Sequence, residues 1–408
     1  MLTAIVGINW GDEGKGRMVD LLSRDHQIVV RYQGDHTSEH TIIANNHRYV
    51  LNLLPAGILR PDVVCVMGNG MVIDPAHLDR EIQALYNEGV SITPDNLKIS
   101  DRAAVVLPLH NAETEPTPCG VSTVYGEKAM NLAIRMGDLL YPEYVASRIH
   151  ALLHSELAAG MPEMAMSEEE LVTWAIRYGR IFRDFICDVG TYLHKAKAMG
   201  MNILFEAPQG ALRDVDFGMY PYTCSSSTVA AYAPIGAGIP GAKLDHTIGI
   251  MKAFSSMVGD GPFVSELHGD IAGHLMETAK EADVKDGHVH RVGAFDAVAS
   301  RYGVRVQGAD ELALTKLDTL SFLPKIPVCV AYEINGVRTE DYPTGADLSA
   351  AQPVIEYVDG WNMRISECRT ADDLPVEALT YVKYIEHLVG AKITYISVGA
   401  EREAYIHL

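Results

Sequence analysis

The 408-residue sequence has few cysteines, a shortage of positive charge and no long apolar run. Its six cysteines, at 65, 119, 187, 224, 329 and 368, show neither a CxxC pair nor zinc-finger spacing, so we expect reduced thiols. With 33 basic and 53 acidic residues, the net charge of -20 argues against a nucleic-acid or anionic-membrane partner. No apolar stretch is long enough to span a bilayer, and no basic targeting segment precedes the first strand. These absences predict a cytoplasmic protein.

Several continuous apolar runs predict buried strands. They are Ala4–Ile8, Ile28–Arg31, Val63–Met67, Ile203–Phe205, Val328–Tyr332 and Ile393–Val398. Because the runs are continuous rather than alternating, we expect a sheet that helices cover on both faces. Residues at about 142–200 are expected to be mainly helical, with the acidic run 168–170 at the start of one helix. Without repeats or linkers, the chain is predicted to be one α/β unit, 1–408, with a helical insertion at about 142–200.

The first apolar run leads into a glycine-rich hexapeptide, Gly11–Gly16. A strand, a glycine-rich turn and a helix together present backbone N–H groups to a phosphate. The hexapeptide departs from the Walker A pattern, because Asn9 stands at the first glycine and Gly16 at the magnesium-binding hydroxyl. Two acids in the turn, Asp12 and Glu13, suit Mg²⁺ binding or proton transfer. A plain turn with solvated acids fits the hexapeptide equally well.

Further short stretches match one known family in a single order. They are Trp10–Gly16, Arg31–Gly34, Gly68–Gly70, Gly137–Leu139, Phe205–Glu206, Gln209–Gly210, Tyr220–Tyr222, Gly261–Phe263, Glu266–Leu267 and Leu314–Asp318. In this order and spacing the chain resembles the adenylosuccinate synthetase family. The resemblance implies a P-loop-NTPase-related α/β fold with a large, mostly parallel central sheet, a homodimer, and the use of GTP and Mg²⁺. In that family GTP phosphorylates a purine 6-oxo group, and the amine of aspartate then displaces the phosphate.

The resemblance also implies catalytic residues. Asp12 matches the base that contacts Mg²⁺, and Lys15 supplies a charge that suits phosphate oxygens. His40 matches the histidine that stabilises the transferring phosphoryl group, although a lone histidine in a polar loop is more often surface decoration. Gln209 matches the glutamine that contacts the 6-oxo group. The backbone carbonyl of Glu39 stands where a glycine carbonyl meets Mg²⁺.

Residues that bind GTP are implied at the turn and at two later places. They are Gly11, Glu13, Gly14, Lys15, Gly16, Thr41, Lys316, Asp318, Ser397 and Gly399. The carboxylate of Asp318 can accept from both N1–H and the 2-amino group of guanine, a donor pair that adenine lacks. The stem of Lys316 can cover the ring face. Together these two residues favour GTP over ATP.

Departures from the family pattern gather on the acceptor side. The residues expected to face the acceptor or the amine are Thr37, Thr117, Asn131, Arg213, Cys224, Val258, His288, His290 and Arg291. Asn131, His288 and His290 stand where arginines are usual, and histidine cannot hold a carboxylate bidentately as arginine does. The sequence therefore favours a family ligase with a changed acceptor or amine. An ordinary adenylosuccinate synthetase and a GTP-binding protein without catalysis are the alternatives.

Overall fold

The computed structural model describes residues 1–44, 47–111, 120–156, 166–279 and 290–408. Strands and helices are numbered in chain order. Within the described residues one sheet has eleven strands, which are β1 (Leu2–Gly7), β2 (Ile28–Gly34), β5 (Val64–Ile73), β6 (Leu97–Ser100), β7 (Ala104–Val105), β8 (Ile186–Cys187), β9 (Ile203–Gly210), β10 (His246–Lys252), β14 (Glu311–Thr315), β18 (Ile393–Ser397) and β19 (Tyr405–His407).

The strand order of this sheet is β19-β18-β14-β10-β1-β9-β2-β5-β6-β8, with β7 beside β5. Every neighbouring pair is parallel except β18 and β19. The predicted large, mostly parallel sheet is therefore confirmed.

Helices lie on both faces of the sheet, as the continuous apolar runs predict. They are α1 (Lys15–Leu22), α2 (Pro75–Asn87), α3 (Val121–Ala129), α4 (Pro142–Leu153), α5 (Glu168–Ile181), α6 (Val189–Ala198), α7 (Ala233–Ala237), α8 (Gly269–Ala279), α9 (Ala297–Gln307), α10 (Gly345–Ala350) and α11 (Val376–Val389). Successive residues of β1 point to opposite faces and enter different cores: Ile5 packs in one with Met18 of α1, and Val6 packs in another with Leu193 of α6.

Smaller sheets surround the main one. They are the hairpin of β3 (His40–Ala44) and β4 (His47–Leu51), the pair β11 (Ser255–Val258) and β12 (His290–Gly293), and a sheet of β13 (Phe295–Asp296), β15 (Lys325–Ile334), β16 (Val337–Thr339) and β17 (Gln352–Asp359). The predicted strand Val328–Tyr332 is part of β15 and so lies in the last of these sheets, outside the main one.

The range 142–200 contains α4, α5 and α6, as expected, but also β8, which pairs with β6 at the edge of the main sheet. Helix α5 starts at the acidic run because Ser167 caps it, in a capping box with Glu170. The single unit with an insertion stays a prediction. No helix in the described part of the chain has the length and apolar character needed to cross a membrane.

We expect Gly303→Ala to destabilise the fold, because a Cβ there would lie 2.0 Å from the backbone oxygen of Ile8. Overpacking of this kind costs about 1–3 kcal/mol in the free energy of unfolding. Gly273→Ala is the matched control, since its Cβ would meet nothing within 4 Å and alanine favours the helix. Urea midpoints measure both changes, and equal midpoints for the two variants would contradict the tight contact.

Candidate active site

The residues predicted to act on the nucleotide follow the carboxyl ends of parallel strands. The turn 9–16 follows β1, and the segment that leads to His40 follows β2. Gln209 lies at the end of β9, Asp318 follows β14, and Ser397 lies at the end of β18. Ligands of open parallel sheets bind outside this edge. The topology thus places segments that are distant in sequence beside one another.

The side chain of Glu13 points into the glycine-rich turn. Its Oε1 accepts from the backbone N–H groups of Asn9 and Gly11, each at 3.0 Å, and its Oε2 pairs with Nζ of Lys15 at 2.5 Å. Both side chains of this ion pair are buried. In the structure the carboxylate of Glu13 holds the turn and Lys15 in place; that Glu13 also binds GTP stays a prediction.

The backbone of the turn has left-handed conformations at Gly11, Asp12 and Gly14, with φ of 105°, 58° and 91°. Glycine adopts these angles without strain, and aspartate tolerates them better than most residues. Helix α1 begins directly afterwards at Lys15, so its first N–H groups and its positive end face the turn. Asp12 is exposed and accessible to a metal ion or substrate.

His40 packs against the start of α1 and is nearly fully buried. A Cβ at Gly16 would lie 2.7 Å from the Cβ of His40, which explains the glycine at the Walker A hydroxyl position. The Nδ1 of His40 is hydrogen-bonded to Oε1 of Glu206, whose Oε2 accepts from the backbone N–H of Ala56 at 2.8 Å. The Glu206 carboxylate was missed by the sequence analysis as a functional group, although the family match covered its position.

Burial lowers the pKa of His40, and the charges of Arg31 and Lys15 lower it further, which outweighs the opposing effect of Glu206. Burial raises the pKa of Glu206, but His40 and Arg31 outweigh burial and bring it below its ordinary value. The pair is therefore a neutral imidazole that donates from Nδ1 to a carboxylate. Its Nε2 is the nitrogen that can gain a proton when phosphate charge approaches.

Gln209 has a left-handed backbone, with φ of 63°. Its Nε2 donates to Oγ of Ser38 at 3.2 Å, and its Oε1 lies 3.2 Å from the place that a Cβ of Gly11 would occupy. The carboxamide therefore lies against the glycine-rich turn that contains Asp12. Strained backbone at a non-glycine residue is typical of functional sites.

The end of β14 is joined to the glycine-rich turn, because Oγ1 of Thr315, the last residue of the strand, donates to the backbone oxygen of Glu13 at 2.7 Å. Lys316 has a φ of 58°, and its Nζ donates to the backbone oxygen of Ala279 at 2.9 Å. Asp318 is half-buried; burial raises its pKa, and Lys316 is among the groups that oppose the rise. The two residues predicted to bind guanine thus follow directly after a residue that is hydrogen-bonded to the glycine-rich turn.

Two arginines that the sequence analysis missed hold the last loop against α1. Arg17 donates from NH1 to Oγ of Ser397 and to the backbone oxygen of Gly399, each at 2.5 Å. Burial lowers the pKa of Arg17 to about 10, opposed first by Asp318. Arg402 donates to both oxygens of the buried Asp20, at 2.6 and 2.7 Å.

The segment before β3 contains the predicted Mg²⁺ ligand Glu39. Its side chain accepts from Oγ1 of Thr41 at 2.9 Å and from NH2 of Arg48 at 3.3 Å. It is not one of the described non-glycine residues with positive φ, so the glutamate fits the backbone here without strain. Thr37 is partly buried, and its N–H donates to Oδ1 of Asp35 at 2.7 Å.

Three of the predicted acceptor residues meet at Arg213. Its guanidinium donates to the backbone oxygens of Tyr222, at 2.7 Å, and Val258. The thiol of Cys224 donates to the backbone oxygen of Arg213 at 2.9 Å. Burial lowers the pKa of Arg213, while Cys224, Asp12 and Tyr342 raise it, so its charge acts on the predicted base.

The guanidinium of Arg291 contacts other residues of its own chain. Its guanidinium donates to both carboxylate oxygens of Glu266, with Nε to Oε1 at 2.8 Å, and to the backbone oxygen of Gly261 at 2.8 Å. It also lies over the ring of Phe263. His290 is paired with Val258 across β11 and β12, and its Nδ1 is buried without a hydrogen-bond partner.

Of the remaining predicted acceptor residues, Asn131 is exposed just after α3, with a φ of 64°. Its backbone oxygen accepts from NH2 of Arg148 at 2.9 Å, and no contact joins it to the other acceptor residues in the described ranges. Thr117 and His288 lie outside the described residues.

The chain is similar to known proteins along its whole length. The family model for adenylosuccinate synthetase matches residues 4–406. Adenylosuccinate synthetase of Caldanaerobacter subterraneus subsp. tengcongensis is 41% identical, with 100% of this chain and 99% of that protein covered. Adenylosuccinate synthetase of Nostoc sp. is 39% identical, with 98% and 93% covered.

Solved structures give the same result. The fully ligated adenylosuccinate synthetase of Plasmodium falciparum superposes with a TM-score of 0.91 at 32% identity, over 100% of this chain and 99% of that one. The succinoaminodeoxyadenylate synthetase of cyanophage S-2L superposes with a TM-score of 0.58 at 18% identity, which shows a shared fold alone.

The lowered pKa of His40 predicts an acid-sensitive fold. The unfolded chain gains a proton on this imidazole near pH 6.5, and the folded site resists it, so stability is lost as the pH falls below about 6.5. His40→Gln should reduce this loss by at most about 1.4 kcal/mol per pH unit. Urea midpoints at several pH values test the prediction. His194→Gln, an exposed change on α6, should leave the pH dependence unchanged; the same result for His40→Gln would contradict it.

Proposed function

Because the chain belongs to the adenylosuccinate synthetase family and is therefore a GTP- and Mg²⁺-dependent C–N ligase, we propose that its acceptor is IMP and its amine is aspartate. The observation that carries the proposal is the assembly of Asp12, His40 and Gln209 around one turn. His40 and Gln209 each approach a glycine of that turn, Gly16 and Gly11. The similarity over the whole chain supports the same substrates.

In the first step of the proposed reaction, the 6-oxo oxygen attacks the γ-phosphorus of GTP, and the bond to the β-phosphate oxygen breaks. Asp12 takes the N1 proton of the purine, which raises the negative charge on the attacking oxygen. His40, held by Glu206, donates from a protonated Nε2 to the transferring phosphoryl group, and Gln209 positions the 6-oxo group. In the second step the amine of aspartate attacks C6, phosphate leaves, and the products are adenylosuccinate, GDP and phosphate.

The oxygen ligands present suit Mg²⁺, which prefers carboxylate and carbonyl oxygens. The exposed carboxylate of Asp12 and the backbone carbonyl of Glu39 are the residues that would hold it. When bound, Mg²⁺ neutralises charge on the phosphates. Lys15 is proposed to add a point charge for phosphate oxygens, with Gly11, Gly14 and the start of α1 supplying backbone N–H groups.

A second candidate is the same ligase with a changed acceptor or amine. It is supported by Arg213, a partly buried guanidinium whose charge acts on Asp12, where an apolar residue is expected from the family resemblance. It is also supported by His290, which stands at an expected arginine and leaves Nδ1 unpartnered. An arginine fork holds phosphate or carboxylate with two parallel hydrogen bonds, which histidine cannot do.

The assembly and location are inferred separately. We infer a homodimer, as the family resemblance implies, and a reducing compartment, as the scattered cysteines predict. The five cysteines in the described ranges are all unpaired, which supports reduced thiols.

We expect the protein to convert GTP, IMP and aspartate to adenylosuccinate, GDP and phosphate in equal amounts. Asp12→Asn should lower kcat by about 10²–10⁴-fold, because the amide cannot take the N1 proton. Asp62→Asn, an exposed change in a turn, should keep wild-type rates. Product is measured by chromatography, and released phosphate is measured in parallel.

Two other outcomes of this assay would favour the alternative functions. No turnover with IMP, but phosphate release with another oxo compound or amine, would replace the first candidate with the second. Tight GTP binding without phosphate release for any acceptor would favour a catalytically silent GTP-binding protein.

Asp318→Asn tests the proposed guanine site. The amide loses the charge-assisted acceptance from N1–H and the 2-amino group, worth about 1.5–3 kcal/mol, so the KM for GTP should rise about 10- to 100-fold. Xanthosine triphosphate, whose 2-oxo group can accept from the new amide, should be used better by the variant than by the wild type. An unchanged KM for GTP would remove Asp318 from the site.

A further inference from the structure

Two histidines and a glutamate, none of them a predicted active-site residue, meet on the surface between α4 and α5. One ligand atom from each of His150, His154 and Glu168 lies within 4.8 Å of the other two. Nδ1 of His150 lies 3.1 Å from Oε1 of Glu168, and the two imidazole rings are 4.0 Å apart, centroid to centroid. Both histidines are exposed, and Glu168 is partly buried.

The two helices hold these side chains in place. His150 is in the last turn of α4, and His154, four residues on, is the residue that caps the end of this helix, so the two side chains lie on one face. Glu168 is the first residue of α5, whose start Ser167 fixes as a capping residue. Behind the cluster, Ile149 of α4 packs in the same buried core as Leu171 of α5. The spacing across the two helices is therefore set by the core.

The orientation of His154 suits a ligand. Its Nδ1 donates to the backbone oxygen of His150 at 2.9 Å, which leaves Nε2 of the neutral imidazole as the nitrogen with a free lone pair. Metal-binding histidines commonly donate their other ring N–H in this way, since the bond fixes the tautomer and the ring.

The donor set determines the kind of ion. Two imidazoles and one carboxylate suit zinc and its borderline neighbours, whereas Mg²⁺ and Ca²⁺ prefer oxygen alone. Ligands at about 2.0–2.2 Å from a tetrahedral zinc lie about 3.3 Å from one another, a distance that small rotations of exposed side chains reach. Three protein ligands also leave a fourth position for water.

We propose that His150, His154 and Glu168 bind one zinc-class divalent cation, which clips the end of α4 to the start of α5. The site is separate from the Mg²⁺ ligands of the active site and does not depend on the proposed reaction. The competing explanation is an ordinary surface pair between His150 and Glu168, which stabilises a protein by less than about 1 kcal/mol and binds no ion.

Titration of the full-length protein with Co²⁺, without nucleotide, tests the site. We expect one Co²⁺ per chain with visible bands typical of low coordination and of nitrogen and oxygen ligands. Cobalt bound by thiolates has an intense near-ultraviolet sulfur band and is distinguished by it. Zn²⁺ should displace the Co²⁺ stoichiometrically, and a hundredfold excess of Mg²⁺ should not.

Matched variants assign the signal. His154→Ala and Glu168→Gln should each weaken Co²⁺ binding by at least about tenfold, and the double change His150→Ala with His154→Ala should abolish it. His194→Ala, an exposed histidine on α6, should bind like the wild type. Circular dichroism checks that every variant keeps its helices. Identical titrations for the wild type and the double variant, or no uptake by the wild type at millimolar Co²⁺, would overturn the proposal.

Discussion

The nucleotide half of the site depends on one buried carboxylate, that of Glu13. It accepts two backbone N–H groups of its own turn and pairs with Lys15, while the adjoining backbone oxygen accepts from Thr315. Gly7 and Gly210 leave the space that it fills, because a Cβ at either would lie 2.7 Å from a Glu13 oxygen. A buried charge is tolerated only when it is paired and hydrogen-bonded, so the ends of β1 and β9 must leave room for this side chain and its partners.

The sequence predicted the main sheet well, because strands buried on both faces leave continuous apolar runs. It did not place Val328–Tyr332 in a separate sheet, since a short apolar run does not identify its neighbours. The glycine-rich turn was found, but not the direction of Glu13. Two adjacent acids look alike in a sequence, and which one is buried depends on the room left by Gly210, a residue of another strand.

On the acceptor side, the sequence also did not show which contacts its arginines make. Both Arg213 and Arg291 are expected from the sequence to face the acceptor. In the structure, Arg291 is held by Glu266 and the backbone of Gly261. Arg213 is held by the backbone oxygens of Tyr222 and Val258, but it also lies within electrostatic reach of Asp12. Whether a guanidinium stabilises its own fold or can meet a ligand depends on its partners. These partners come from separate segments of the chain, so a local sequence pattern does not identify them.

The contacts of Arg17 have a consequence for how the protein folds. Ser397 and Gly399, which it holds, lie 380 and 382 positions further along the chain. The proposed base pocket therefore joins α1 to the loop after β18. Pairings of such wide separation form slowly, because the entropy of closing a long loop is lost before the contact is gained. We therefore expect this part of the pocket to be completed late in folding.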